Sequence, residues 1–147
     1  MTNFIVSENQ KKLRSNSSIS HLPTPISHLP RSGYFKLNTV FHFAASHYLT
    51  SYHGKCEKLH GHNYKLIITI KGAVKADGMV MDYKEIKKTV KEKVIKKLDH
   101  SNLNDRFENP SSENVSIWIW DELKDLLPLS KVTLFETENY FCEYEGE

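Results

Sequence analysis

One thiol and two imidazoles lie close together near the middle of the chain, in the segment Cys56-Glu57-Lys58-Leu59-His60-Gly61-His62. In an extended strand, side chains two residues apart project to the same side, with Cα atoms roughly 6–7 Å apart. His60 and His62 can therefore bind one metal ion together, and Gly61 lets the backbone bend between them. The alternative is a turn that carries two surface histidines, because His-x-His pairs are not rare.

A third histidine ends the first predicted strand, in Ala44-Ala45-Ser46-His47. If this strand pairs with the strand that follows His60, His47 reaches the same end of the sheet. Three neutral imidazole nitrogens with an open fourth position are the pattern of a catalytic zinc ion. The spacing thus favours a zinc site at His47, His60 and His62. His42 and His53 are not spaced to share a metal ion with another residue and are interpreted as ordinary side chains.

The chain has only two cysteines, Cys56 and Cys142. Two cysteines cannot form a four-cysteine zinc site. They also give no reason to expect a disulfide scaffold, so the cysteine content fits a protein of the reducing cytoplasm. Three roles are open for Cys56: a fourth ligand that closes a structural zinc site, a nucleophile or base with a lowered pKa, or a small buried side chain. Cys142 falls within a predicted strand and is interpreted as a buried side chain.

Two polar pairs are further candidates for chemistry. Asp99 and His100 directly follow a predicted helix, where they could act as an orienting carboxylate and a proton carrier, or simply cap the helix. Glu136 and Thr137 end a predicted strand. A carboxylate at that position could accept two N–H bonds from a guanidine-like edge, and the alternative is a surface glutamate.

Length and composition limit the class of protein. The 147 residues, 39% hydrophobic and 26% charged, suit one globular domain better than two. A formal net charge of +2 gives no reason to expect nucleic-acid binding, and the lysines between Lys84 and Lys97 are interpreted as a solvated helix face. No apolar run approaches the roughly 18 residues that would span a membrane.

The elements that must position these side chains follow from the hydrophobic pattern. Residues 1–33 are rich in Ser, Asn and Pro and repeat the motif ISHLP, which predicts a disordered extension before a single domain at 34–147. Strands are predicted at 35–43, 62–71, 131–137 and 140–144. Helices are predicted at 83–98 and from 112 to about 127, with apolar repeats at Ile86, Val90, Val94 and Leu98 and at Val115, Ile119, Leu123 and Leu126 or Leu127.

The predicted order is ββααββ, an α+β arrangement in which two helices cover one face of a four-stranded antiparallel sheet. The opposite face of the sheet also carries apolar residues. We therefore expect that face to meet another subunit.

Six segments, in their order and spacing, resemble one family: FHFAASHYL, GKCEKLHGHNYKL, GMVMDYKEIK, LDHSNLN, NPSSENVSIWIWDEL and FETENY. The sequence is similar to the 6-pyruvoyl-tetrahydropterin synthase family, which includes the queuosine-pathway enzyme 6-carboxytetrahydropterin synthase. The resemblance covers Phe35 to Glu147. It implies the tunnelling fold (T-fold), usually assembled as a homohexamer of two trimers with active sites between subunits.

The resemblance also implies roles for individual residues. His47, His60 and His62 match the zinc ligands, and Cys56 matches the catalytic cysteine. Asp99 and His100 complete the proton-transfer set. Glu136 matches the residue that anchors the pterin, with Thr137 beside it. Ser111, Ser112 and Glu113 fall in a segment that borders the pterin pocket, where Ser replaces the usual Thr.

The implied enzyme is a zinc-dependent lyase that acts on 7,8-dihydroneopterin triphosphate, with Lys55 and Lys58 as candidates for steering the triphosphate. The three-residue spacing between Cys56 and His60 matches the carboxy branch, whereas SIWIWDELKDLLP and ETENYFCEYEGE look more like the pyruvoyl branch. Glu57 also resembles a glutamate of folate-type members, which lack the cysteine. We favour the carboxy branch, with the pyruvoyl branch and a non-catalytic pterin-binding module as alternatives.

Overall fold

The computed structural model describes residues 33–50 and 54–147. All of these residues belong to one compact unit. The predicted disordered extension at 1–33 and the residue His53 fall outside the described ranges, apart from Gly33, and the statements made about them stay predictions.

Two long strands form the centre of the sheet, because β-branched and aromatic residues alternate along both of them. Strand β1 (Tyr34–His47) pairs antiparallel with strand β2 (His60–Ala73). The register places His47 opposite His60 and Ala45 opposite His62. The expectation that these two strands deliver His47 to the beginning of the second strand is therefore confirmed.

The sheet has five strands in the described residues, in the order β3-β1-β2-β4-β5. Strand β3 (Ser101–Asn102) runs parallel to β1, and β4 (Leu129–Phe135) and β5 (Phe141–Tyr144) add antiparallel strands beyond β2. The prediction of a four-stranded, purely antiparallel sheet was wrong. A two-residue strand carries no hydrophobic period, so nothing in its sequence predicts it.

Two helices lie between the strands. Helix α1 runs continuously through Tyr83–Val90, a π-helical turn at Lys91–Ile95 and Lys96–Leu98. It begins after Asp82, whose carboxylate accepts a hydrogen bond from the Lys84 N–H at 2.8 Å. Helix α2 spans Ser112–Leu123 and begins after Ser111, whose hydroxyl accepts from the Asn114 N–H at 3.3 Å.

Helix α2 ends four residues earlier than predicted, at Leu123, and its last carbonyls are bonded by the turn that follows. Within that turn Leu127 is buried, whereas Leu126 is 48% exposed. The predicted choice between these two leucines is thus decided in favour of Leu127.

One face of the sheet and the apolar stripes of both helices form a single core. The predicted apolar repeat of α1 and the residues Val115, Ile119 and Leu123 of α2 are all buried in it, which confirms the α+β class. The opposite sheet face leaves Val40 47% and Phe141 54% exposed. Within the described residues, no helix has the length and apolar character needed to cross a membrane.

Two isoleucines of α2 allow a matched test of this packing. Ile119 is fully buried, whereas Ile117 is 42% exposed. We expect Ile119→Ala to lower the free energy of unfolding by about 2–5 kcal/mol, because the substitution leaves a cavity in the core. Ile117→Ala should lower it much less. Urea denaturation of the two variants measures both values, and equal losses would contradict the assigned core.

Candidate active site

Three imidazole rings meet where β1 ends and β2 begins. One ring nitrogen from each of His47, His60 and His62 lies within 4.8 Å of the other two. The His47 and His60 Nε2 atoms are 3.2 Å apart. These side chains point to the core-facing side of the sheet, because they continue the buried alternation of Phe43 and Ala45 in β1 and of Tyr64 in β2.

Backbone carbonyls determine which nitrogens face the centre of the cluster. The His47 Nδ1 lies 2.9 Å from the Pro110 carbonyl oxygen, and the His60 Nδ1 lies 2.7 Å from the Lys58 carbonyl oxygen. A carbonyl oxygen only accepts hydrogen bonds, so each Nδ1 carries the proton and each neutral ring presents an Nε2 lone pair. Two lone pairs at 3.2 Å repel one another unless a proton or a metal ion lies between them.

The third ring points to the same conclusion. The His62 Nε2 is buried and has no hydrogen-bond partner, an arrangement that is costly for a polar atom unless something binds it. Burial lowers the pKa of His62 despite the nearby Glu136 carboxylate, which favours the neutral ring that a metal ion requires. The three histidines therefore fit a metal ion, and imidazole ligands suit zinc among other divalent metals.

Glu136 lies beside this cluster, immediately after β4. Its Oε1 atom is 3.1 Å from the His47 Nε2 and 3.5 Å from the His62 Nε2. In the absence of a metal ion, a protonated His47 ring donates a hydrogen bond to this oxygen, which lowers the pKa of Glu136 below its usual value. Burial alone would lower the pKa of His47, but the bonds to Glu136 and Pro110 outweigh burial and raise it. The interpretation of Glu136 as an ordinary surface carboxylate does not fit this position.

Cys56 lies in a short 3-10 turn (Lys55–Glu57) that precedes β2. Its carbonyl oxygen accepts a hydrogen bond from the Leu49 N–H at 2.9 Å, which ties the turn to the end of β1. The thiol is half-buried, and it is not a member of the metal-ligand cluster found among the described residues. The geometry therefore leaves the thiol available for a role other than closing the metal site.

Asp99 is the C-cap residue of helix α1, and the Asp99–His100 pair is also attached to the edge of β1. The Asp99 Oδ1 accepts a bond from the Ala44 N–H at 3.0 Å, and the His100 N–H donates to the Ala44 carbonyl at 2.7 Å. The bond from Ala44 is the main reason that the pKa of Asp99 lies below its ordinary value. The short strand β3 begins at the next residue, Ser101, and continues this attachment by pairing in parallel with β1.

The His100 backbone adopts φ = 57°, a left-handed conformation that costs energy for a residue with a side chain. The strained backbone holds a ring that is 83% exposed, with Nδ1 3.0 Å from the Asp99 Oδ1. Strain of this kind is concentrated at functional sites. The exposed Nε2 edge of His100 is thus presented to the outside of the chain by a fixed backbone.

Three pockets surround these groups. A pocket of about 470 Å³ is lined by His62 and His100, and one of about 670 Å³ is lined by His62, Glu136 and Thr137. A smaller pocket of about 200 Å³ brings Glu136 together with the residues at the start of α2, namely Ser111, Ser112 and Glu113. The sequence-predicted pterin positions therefore lie around two pockets that share Glu136.

Cys142, in β5, is not a member of the metal-ligand cluster of the described residues, although it lines the smaller pocket together with Glu136. Its Sγ lies 3.2 Å from the Ser116 hydroxyl, and burial raises the pKa of the thiol. This environment agrees with its interpretation as an ordinary buried side chain.

Sequence reasoning missed the groups that orient the metal cluster. The Pro110 and Lys58 carbonyls hold the two rings, and the Tyr64 hydroxyl approaches the His47 Nδ1 at 3.4 Å. A backbone carbonyl leaves no signal in the residue type. Only Tyr64, two residues after His62 on the same face of β2, could have been found from the strand alternation.

Comparison with known proteins identifies relatives of the whole described domain. The family model described as 6-pyruvoyl tetrahydropterin synthase matches residues 36–147. The chain is 48% identical over 103 residues to a 6-pyruvoyl tetrahydrobiopterin synthase of Dictyostelium discoideum, covering 65% of this chain and 76% of that protein. It is 42% identical over 102 residues to a putative 6-carboxy-5,6,7,8-tetrahydropterin synthase of Archaeoglobus fulgidus, covering 69% of this chain and 87% of that protein.

A solved structure shares the arrangement of strands and helices. The 6-pyruvoyl tetrahydropterin synthase of Caenorhabditis elegans superposes with a TM-score of 0.73 at 31% identity, covering 81% of this chain and 100% of that chain. The fold is therefore the T-fold, and the family match extends over both the histidine cluster and the Asp99–His100 pair. From the sequence match, the shared fold and the three converging histidines together, we conclude that the chain belongs to the 6-pyruvoyl tetrahydropterin synthase family, whose members compared here are pterin synthases.

Proposed function

We propose that this pterin synthase is a zinc-dependent lyase that acts on 7,8-dihydroneopterin triphosphate and eliminates triphosphate. The main support for the proposal is the convergence of three imidazole nitrogens, with a free thiol outside the cluster. His47, His60 and His62 would hold the metal ion. When bound, zinc supplies a Lewis acid that polarises side-chain oxygens of the substrate and acidifies the neighbouring C–H and O–H groups.

The proton transfers are assigned to groups that the metal cluster does not use. Cys56, as thiolate, takes a proton from the substrate side chain. His100 returns or removes another proton, with its ring oriented by the Asp99 carboxylate 3.0 Å away. The rigid attachment of this pair to Ala44 supports that role, because a proton carrier must be held in place to be effective.

The pterin ring is assigned to the pockets that share Glu136. The Glu136 carboxylate accepts paired hydrogen bonds from the aminopyrimidinone edge, next to Thr137. Ser111, Ser112 and Glu113 border the ring from the start of α2. Lys55 and Lys58 are assigned to attract the triphosphate, from their charge and position alone.

The favoured product is 6-carboxy-5,6,7,8-tetrahydropterin, formed when the side chain is also cleaved with water and released as acetaldehyde. Three residues separate Cys56 from His60, as in the carboxy branch, which supplies precursors for queuosine and other 7-deazapurines. The 48% identity to the Dictyostelium relative favours a second product, 6-pyruvoyltetrahydropterin, of the tetrahydrobiopterin pathway. In that case the side chain tautomerises to a diketone and is retained.

The proposed assembly is a homohexamer of two trimers, with active sites between subunits. The proposed location is the cytoplasm. The sheet face opposite the helices is available for such contacts, since Val40 and Phe141 are exposed on it. His100 presents its ring outward from the edge of β1, where a neighbouring subunit could use it. Light scattering of the purified protein measures the mass of the assembly.

Product analysis distinguishes the two branches. The purified protein, loaded with zinc, is incubated with 7,8-dihydroneopterin triphosphate, the pterin product is identified by mass spectrometry, and acetaldehyde is measured with alcohol dehydrogenase and NADH. The carboxy product should appear together with acetaldehyde. A pyruvoyl product without acetaldehyde would replace the favoured branch by its alternative, and unchanged substrate would contradict both.

A further inference from the structure

One asparagine side chain bonds both backbone groups of the residue that follows His47. The Tyr48 N–H donates to the Asn104 Oδ1 at 2.9 Å, and the Asn104 Nδ2 donates to the Tyr48 carbonyl at 2.9 Å. The amide fits in only one orientation, because a backbone N–H only donates and a carbonyl oxygen only accepts. These two bonds are called the Asn104 clamp below.

The Asn104 clamp continues the pairing of two strands past the point where both of them end. Ala45 in β1 pairs with Ser101, 56 residues further along the chain, and Tyr48 and Asn104 are also 56 residues apart. The pairing of β1 with β2 stops at His47. Beyond that residue, the amide of Asn104 supplies the two backbone bonds that a neighbouring strand would otherwise supply.

Asn104 is the better-fixed side of the clamp. Its own N–H donates to the Asn102 Oδ1 at 3.2 Å, and the preceding residue, Leu103, is fully buried in the core. Tyr48 is 37% exposed. The core therefore fixes Asn104, and Asn104 in turn fixes the backbone of Tyr48.

The backbone held by the clamp leads directly to the candidate thiol. The Leu49 N–H, next to Tyr48, donates to the Cys56 carbonyl at 2.9 Å. The Thr50 N–H donates to the Asn109 Oδ1 at 3.3 Å. Leu49 also lines the smaller of the pockets assigned to the pterin. The turn that carries the thiol is therefore bonded to a segment whose position Asn104 sets.

We infer that Asn104 is a positioning residue for the Cys56 thiol, an inference that rests on the proposed role of this thiol. Asn104 follows the Asp99–His100 pair in the same short segment, and this segment is bonded to the end of β1 at both Ala44 and Tyr48. The two groups assigned to proton transfer are thus attached to one end of one strand. A misplacement of about 1 Å can lower the rate of an enzymatic reaction by about 100-fold.

Kinetics of an alanine variant test this role. We expect Asn104→Ala to lower kcat for 7,8-dihydroneopterin triphosphate by about 10–100-fold, with KM nearly unchanged, because the metal and the ring-binding groups keep their places. Zinc affinity and the unfolding midpoint should stay close to the wild-type values, since the two lost bonds are exposed and water can replace them.

Asn38 supplies the matched control on the same strand. Its amide accepts a hydrogen bond from the Thr69 hydroxyl at 2.7 Å, nearer the start of β1. Asn38→Ala should leave kcat, KM and zinc affinity unchanged. Wild-type kcat in Asn104→Ala would overturn the positioning role. Weakened zinc binding in that variant would also overturn it, because the clamp would then support His47 rather than the thiol.

Alkylation of Cys56 tests the same role without turnover. The rate of reaction of the zinc-loaded protein with iodoacetamide is measured against pH, and peptide mass spectrometry separates Cys56 from Cys142. The rate at the high-pH plateau, where the thiol is fully ionised, reports access to the sulfur, and the midpoint reports its pKa. The plateau rate should rise several-fold in Asn104→Ala, because the turn that half-buries the thiol is no longer held.

The same rate should be unchanged in Asn38→Ala. Equal plateau rates in the wild type and Asn104→Ala would contradict the inference. Alkylation needs no substrate, so this outcome is distinguishable from a failure of the proposed function, which would appear as a wild-type protein that releases no triphosphate.

Discussion

Replacing Cys56 by alanine is expected to lower the turnover of 7,8-dihydroneopterin triphosphate by about 10²–10⁴-fold, the usual contribution of one positioned acid or base. Zinc should remain bound at the wild-type stoichiometry. The physical reason is the separation of the two roles in the site: three imidazoles surround the metal position, and the thiol is not in that cluster.

The second cysteine supplies the matched control for this experiment. Cys142 is half-buried against Ser116 and borders the smaller pterin pocket, but it transfers no proton in the proposed chemistry, so Cys142→Ala should lower turnover far less than Cys56→Ala. Zinc content is measured by atomic emission, and turnover by release of triphosphate. If Cys56→Ala loses its zinc, the thiol is a structural ligand and the proposed division of roles is wrong.

Removing one imidazole should have the largest effect on the affinity for zinc. We expect His60→Ala to weaken zinc binding by more than about 100-fold, because even the outer-shell partners of metal ligands contribute about 10–100-fold. The purified variant should then contain little zinc and show no turnover. The metal-free variant should remain folded, since His60 is only partly buried and its backbone is held by the pairing of β1 with β2.

His42 provides the matched control for His60. It lies on β1, but it is exposed and points to the sheet face opposite the cluster. His42→Ala should therefore retain zinc at the wild-type stoichiometry. Competition with a chelator measures both affinities, and circular dichroism verifies that each variant is folded. Unchanged zinc affinity in His60→Ala would rule out the three-histidine site.

The parts of the fold that could be predicted from sequence are those with a hydrophobic period. The alternation along β2 and the four-residue repeat of α1 predicted their buried faces correctly. The placement of His47 beside His60 was predicted on the condition that β1 pairs with β2, and this pairing is observed. Strand β3 could not be predicted, because its position depends on a contact between distant residues. The Ala44 N–H donates a hydrogen bond to the Asp99 carboxylate, which brings the segment after Asp99 beside β1.

The candidate site also has parts that could be predicted from sequence and parts that could not. Residue type and spacing indicated the three histidines, since imidazoles two residues apart on a strand share a face. They could not indicate that Pro110 and Lys58 orient the rings through their carbonyls. The contact between Glu136 and the histidines was also beyond the sequence, because it depends on the register that sets Phe135 opposite Lys65. The left-handed backbone of His100 has no signal in a histidine residue.

A non-catalytic module on the same fold would predict a different behaviour from the same site. Such a module could bind zinc and pterin, but it would not need a thiol outside the metal cluster or a strained, outward-facing histidine. The Asp99–His100 pair is held by two hydrogen bonds to Ala44 and has no evident part in stabilising the core. These features favour an enzyme over a binding protein.

Triphosphate release is the most direct measure of the proposed lyase activity. The purified protein is stripped of metal, reconstituted with zinc, and incubated with 7,8-dihydroneopterin triphosphate, while free triphosphate is measured by ion chromatography. We predict that triphosphate is released repeatedly by the zinc-loaded protein and at a far lower rate by the metal-free protein and by Cys56→Ala. A folded protein that binds zinc and releases no triphosphate would contradict the account.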